Sequence, residues 1–364
     1  MIKLLLLWAA IAITSVLPPI IEPRSRVSRL SRGASGDQFK KLAVSKELLE
    51  QAQQAIKGRQ RIAVFSADDS DSRVVALMLN SALPYAKNFL LADPSTVAVI
   101  AHVDATAKNA EIANNAKWAE QLALDWLAVC RPKESGDRVV EVFQINKQGA
   151  VLTETIVVST VSVDEIQKAC QKVFGLLKAD FGKYSNELKK LPTTKKDALL
   201  EVVQGYQLIL ASVGVQDDDQ RNGIAEEGLR LSQSALAKEP SLLQAILLQA
   251  SCLDILKKPD ALKAALEKGF KVRNLKNTDR LTMLEFEGDY ARYVKKDREQ
   301  ATTSYSEMLE IDPNHLRAHW SLIETALDEP VGNVDNETLQ FAVEHLVAIL
   351  AAHPGSPLAL VVGK

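Results

Sequence analysis

A chain of 364 residues exceeds one ordinary core, so two domains and a targeting segment are its natural division. Lysine plus arginine (44) and aspartate plus glutamate (46) nearly cancel, and a net charge of −2 excludes bulk attraction to nucleic acid or an acidic membrane surface. Three sparse cysteines, Cys130, Cys170 and Cys252, form no CxxC and exclude a disulfide framework; each reads as a small buried apolar side chain.

Leu4–Leu17 is an uninterrupted apolar run of about 14 residues, within a secretory core segment and short of a membrane span. Continued through Pro18 and Pro19 to Ile21, it is nearly long enough for an uncleaved anchor. Residues 1–21 therefore read as a signal peptide or an N-terminal membrane anchor, which exports the chain or fixes it at the cell envelope. Arg24, Arg26, Arg29 and Arg32 follow in an acid-poor Ser/Arg stretch, which leaves an organellar presequence as the alternative. Residues 22–58 then form a tether and an amphipathic helix. Phe39, Leu42, Leu48, Leu49, Ala52 and Ile56 recur at near-helical spacing over Asp37–Lys57, and Gly58 ends the run.

From Arg61 the period changes, and residues 59–180 read as a small α/β domain with a mixed sheet. Ile62–Phe65 is a short strand, Ser66–Ser72 a polar loop, and Val74–Leu83 a helix stopped by Pro84. Thr96–Val103 is a second strand and Ala110–Val129 a long helix. Arg138–Asn146 and Ala150–Val158 are strands joined at Lys147-Gln148-Gly149, a turn whose glycine tolerates positive φ. Val163–Leu177 closes the unit as a helix. In three places, Val64–Arg73, Val99–Asp104 and Val142–Leu152, this stretch resembles the thioredoxin family. The resemblance implies a thioredoxin-like fold; some other small α/β domain is the alternative. Ser70 and Arg73 stand where that family has its two cysteines, and no proline precedes the strand at 139. The resemblance therefore implies degenerate positions without dithiol chemistry, because neither hydroxyl nor guanidinium substitutes for a thiolate.

Lys178–Thr194 is a charged connector, and residues 195–364 read as all-α. Asp197–Val213 is a helix, followed by a polar loop over Asp217–Gly223. Further on come a helix over Leu281–Val294, a charged break at Lys295-Lys296-Asp297, a helix over Glu299–Ile311, then Asp312-Pro313-Asn314 and a third helix. Ala235–Pro240, Met308–Pro313 and Ile349–Pro354 repeat one helix ending, at intervals of about 73 and 41 residues. Those intervals are roughly two units and one extended unit of a ~34-residue helical hairpin, which cannot bury its apolar face alone. Gly288, Ala301, Tyr305 and Pro313 match the small–small–aromatic–proline pattern of the tetratricopeptide repeat (TPR) family, with one residue too many between Gly288 and Pro313. The resemblance covers roughly 195–364 and implies an α-solenoid; an irregular helical bundle is the alternative.

Candidate sites are few. Asp68, Asp69 and Asp71 cluster at a strand end, where α/β folds often place function, but calcium would need glycine where Val74 stands. His315 and His319 lie four apart on one helix, without the glutamate of a zinc-protease motif; with Trp320 they read as lining a repeat surface. Arg317, Trp320 and Glu324 form a stripe suited to a peptide groove. No phosphate loop, nucleophile elbow or Ser/His/Asp arrangement is recognisable, and no cofactor, metal or catalytic residue is expected. The reading is a protein-interaction module, scaffold or chaperone-like, whose concave face is built from Ile246–Leu253, Leu284–Ala291 and Leu316–Ile323. Its expected partner is a protein or peptide, with membrane contact only through the N-terminus. A small-ligand-binding or redox-related domain at 59–180, with the repeats as support, and a structural component of a membrane assembly are the alternatives.

Overall fold

The structure, a computed structural model, describes residues 45–67, 69–92, 119, 122–133, 135–146, 149–186, 188, 191, 193–212, 215, 217–272, 277–327 and 334–353. It holds an α/β part followed by helices, with eleven α-helices among the described residues. The chain divides into two compact units. One is Arg59–Arg280; the other joins the chain from Leu281 to the helix Lys46–Ala55.

The first unit opens with strand β1 (Gln60–Ser66), helix α2 (Ser70–Ala82) and a short strand β2 (Phe89–Leu91); α1 is Lys46–Ala55. Then come β3 (Trp126–Pro132), β4 (Arg138–Asn146), β5 (Gly149–Val158) and α3 (Val163–Leu177). The sheet order is β2-β1-β3-β4-β5, with β1 parallel to β2 and β3, and antiparallel steps from β3 onward. Alternation places Ala63, Leu127 and Val129 on one face, in a core with Leu122, Leu124 and Phe143. Ile62, Val64, Ala128 and Cys130 occupy the opposite face and are buried too. β1 and β3 are thus covered on both sides, which is why they read as continuous apolar runs. Ser162 caps α3, accepting the Glu165 N–H at 3.2 Å, and Lys178, in the left-handed region at φ 52°, ends it.

Two strands depart from the sequence expectation. The helix expected over Ala110–Val129 does not run to its end, because Trp126–Val129 belong to β3. Ala123 at φ 50° breaks any helix there, and Asp125 ties the strand start to β1 by accepting the Arg61 N–H at 2.7 Å. β2 was unforeseen, being only three residues long. The strand expected over Thr96–Val103 lies outside the described residues, as do Asp68 and residues 1–44, including the segment 1–21. Among the described residues no helix is long and apolar enough to cross a membrane.

After α3 the first unit continues with helices α4 (Lys196–Ser212), α5 (Asp218–Lys238), α6 (Leu243–Ile255) and α7 (Pro259–Phe270). The polar run Asp217–Gly223 is not a loop. Asp217 caps α5 by accepting the Gln220 N–H at 2.7 Å, and the acidic side chains that follow suit a helix N-terminus. Close approach is bought with glycine: a Cβ at Gly205 would lie 2.3 Å from Leu248, and one at Gly228 2.9 Å from Cys252.

The second unit contains α8 from Leu281 onward (Asn277–Tyr290), a π-turn (Ala291–Lys295), α9 (Arg298–Ile311), α10 (Leu316–Ala326) and α11 (Asn336–Ala352). Helix α1 is more than a tether. Its Leu48 and Ala52 pack on a core of Trp320, Ile323, Leu327, Ala342, Leu346 and Ile349 contributed by α10 and α11. Tyr305 on α9 is wholly buried, its ring against Gly288 and its hydroxyl donating to Asp289 Oδ1 at 2.6 Å.

One turn occurs twice. After α5, Glu239 closes the helix at φ −142°, ψ 89°, its N–H bonded to the Ala235 carbonyl. After α9, Asp312 does so at φ −127°, ψ 95°, bonded to Met308. Each then accepts from the residue three on (Leu242 at 3.1 Å, His315 at 3.0 Å), and those residues begin the next helix at φ −70°, ψ 101° and φ −63°, ψ 105°. The proline between them has no N–H to leave unpaired. His353 ends α11 with the same bond to Ile349.

Candidate functional site

The start of α2 carries the degenerate thioredoxin positions. Asp69 caps the helix, accepting the Ser72 N–H at 3.0 Å, and also accepts Arg138 Nε from β4 at 2.9 Å. Asp71 takes Lys196 Nζ of α4 at 2.9 Å and the Thr160 hydroxyl at 3.1 Å, with Arg138 4.0 Å away. Burial pushes the Asp69 carboxyl up, but the hydrogen bonds from Ser72 and Arg138 prevail and hold it below the usual range. Two carboxylates and two cations thus neutralise one another and pin the helix start to β4 and α4. Ser70 and Arg73 lie beside this network, both half-buried, and burial lowers the Arg73 guanidinium. The nearest thiol on the sheet, Cys130, pairs in register with Ser66. Burial pushes Cys130 well up and Cys170 to about 12, so neither is a thiolate near neutral pH. Among the described residues the arrangement holds charge in place, and the two thiols nearby on the chain's α/β part are not activated.

The stripe Arg317, Trp320 and Glu324 is not an open groove. Trp320 is buried in the core that α10 shares with α11. Glu324 is buried as well and pairs with Arg292 at 2.8 Å. Arg317, less than a quarter exposed, faces Glu285 at 3.2 Å and Asp289 at 3.7 Å on α8. The physical reason is that a neighbouring helix presents complementary charge: Glu285, Asp289 and Arg292 recur at helical spacing along one face of α8 and its π-turn. That spacing was the signal available in the sequence, and it marks an internal seam. The first-helix segment Ile246–Leu253, expected on a concave face, is likewise almost wholly buried.

His315 and His319 do not line an exposed surface either. His315 caps α10 through its ring nitrogen, and His319 is buried against His345 of α11, with His353 beside the same turn. His345 and His353, far along the chain, had no sequence signal linking them to this turn. Among the described residues no group of three His, Cys, Asp or Glu side chains is placed to hold a metal ion. Set beside known proteins, the chain is matched by no family model and by no curated protein.

Proposed function

We propose that the chain is a non-catalytic protein-interaction module, scaffold or chaperone-like, built from tetratricopeptide-like hairpins and taking a protein or peptide partner. The observation that carries this reading is the recurrence of the Glu239–Leu242 turn at Asp312–His315, with matching dihedrals and hydrogen bonds. Serial hairpins joined by one repeated turn are the construction of helical repeat proteins, whose use is to present an extended surface. The glycine approaches at Gly205, Gly228 and Gly288 support it in the same way. With Trp320 and Glu324 inside, the partner surface belongs on the outward faces of the hairpins. The residues of α9 exposed beside the buried Ala301, Tyr305 and Met308 are one such face. In this proposal the α/β part is a thioredoxin-like domain without its dithiol, and residues 1–21 deliver the chain to the cell envelope.

The test is capture of partners by the full chain from envelope extract, then crosslinking of a purified partner and titration of its affinity. The expected crosslinks fall in residues 195–353, and Ser70→Ala with Arg73→Ala leaves the affinity unchanged. Crosslinks confined to residues 59–180, or loss of binding in the Ser70/Arg73 variant, would move the function to the α/β domain.

A further inference from the structure

Four of the chain's five histidines gather in the second unit, around the turn from α9 to α10. His315 Nδ1 accepts the Ala318 N–H at 3.3 Å. His319 places Nε2 2.9 Å from the Pro313 carbonyl and Nδ1 2.8 Å from Nδ1 of His345. His353 places Nε2 2.7 Å from the Asn314 carbonyl, and Phe341 meets His345 edge-on.

These partners assign the protons of the bonded nitrogens when the rings are neutral. A carbonyl only accepts, so Nε2 of His319 and of His353 each carries hydrogen. A neutral imidazole has one N–H, so His319 Nδ1 is bare and accepts from His345 Nδ1–H. His315 accepts a backbone N–H at Nδ1 and is therefore protonated at Nε2. With neutral rings all of these bonds are made and no charge is buried. One proton added to the His319–His345 pair makes a buried cation; a second sets N–H against N–H. A proton on His315 Nδ1 points at the Ala318 N–H.

Several charged groups on the packed elements are engaged with partners outside the cluster. On α10, Arg317 faces Glu285 and Asp289, and Glu324 faces Arg292. Asp312 accepts the Asn314 N–H, and Arg298 of α9 donates to the Thr325 carbonyl. Glu344 of α11 accepts from Gln340, and Lys46 and Glu50 of α1 pair with each other. Burial, followed by the neighbouring rings, holds His315 down to about 3 and His345 to about 4. For His319 burial also dominates, against the Pro313 carbonyl, and the ring sits at about 4. Among the described residues no carboxylate contributes to these shifts.

We propose that the cluster of His315, His319, His345 and His353 is an acid-released latch, which docks α10 and α11 at the Pro313 turn at neutral pH and frees them on acidification. The direction follows from linkage. The opened hairpin binds protons near pH 6.5, the docked one only far below, so docking is at full strength above about pH 6.5 and fades as pH falls toward 4.

Hydrogen exchange of the full chain, read by mass spectrometry at pH 7.5 and 5.0 and corrected for intrinsic rates, tests this. Segments within 316–326 and 336–352 are expected to lose tenfold or more of their protection at pH 5.0, while α4–α6 keep theirs. His345→Asn with His353→Gln keeps the donated hydrogen bonds without the titrating rings, and its amide at 345 can turn an oxygen to a protonated His319. That variant is expected to lose less than threefold. Unchanged protection at pH 5.0, or equal loss in every helix, overturns the latch. The ring-nitrogen shifts of the unaltered chain need no variant. The expected result is Nδ1–H at His345 and Nε2–H at the other three, and any other assignment overturns the proposal.

Discussion

Gly288 and Gly223 are both helical glycines, yet they call for opposite substitutions. A Cβ at Gly288 would stand 2.5 Å from the Tyr305 ring, which is wholly buried and held through its hydroxyl by Asp289. Alanine gains about 1 kcal/mol of helix propensity there, but overpacking against a fixed ring costs about 1–3 kcal/mol. Gly288→Ala should therefore lower the melting temperature. At Gly223 nothing lies within 4 Å of the added atom, so Gly223→Ala should raise stability by about 0.5–1 kcal/mol. The Arg292–Glu324 pair gives a second residue-scale test, since both side chains are less than a tenth exposed. Arg292→Ala takes the guanidinium from a buried carboxylate and should cost about 3–5 kcal/mol in urea unfolding. Replacing both partners, Arg292→Met with Glu324→Leu, should recover most of that loss.

Among elements, the tight turns before α7 and α9 share a device: Lys257 and Lys296 sit in the left-handed region at φ 54° and 62°, one residue ahead of the helix cap. A lysine there carries a Cβ penalty that glycine lacks, partly offset by the freer unfolded chain of glycine. Lys296→Gly should stabilise by about 0.5–1 kcal/mol, measured by denaturant titration. Elements like these were largely legible from the residues. Val163–Leu177 has the expected bounds, and the break at Lys295–Asp297 falls between α8 and α9 as its charges suggest. Strand β3 was hidden because Trp126–Cys130, buried on both faces, shows no alternation, and its leucine and alanine suit a helix equally well. The stripe at Arg317, Trp320 and Glu324 misled for a different reason. One helix's sequence shows that a face is special but not what covers it, and here the cover is α8 and α11.

For the molecule as a whole, acid should act on the two units in different pH windows. His315, His319 and His345 all bind protons less readily than in the unfolded chain, so their contribution is present above about pH 6.5 and is lost on descent toward 4. In the first unit Asp69 is likewise lowered, but from an ordinary carboxylate value, so its share is lost only below about pH 4. Calorimetry between pH 7.5 and 4.5 should show the transition of the second unit moving down while that of the first holds. A common shift of both transitions would contradict this division. The cysteines supply an observer for the other half of that comparison. All three sulfhydryls of the chain lie buried within Arg59–Arg280, and the second unit has none. A colorimetric thiol reagent added to the native protein therefore keeps time on one unit only, its reaction marking each excursion of the sheet, of α3 or of α6 into solvent, while the histidine-bearing unit passes unrecorded.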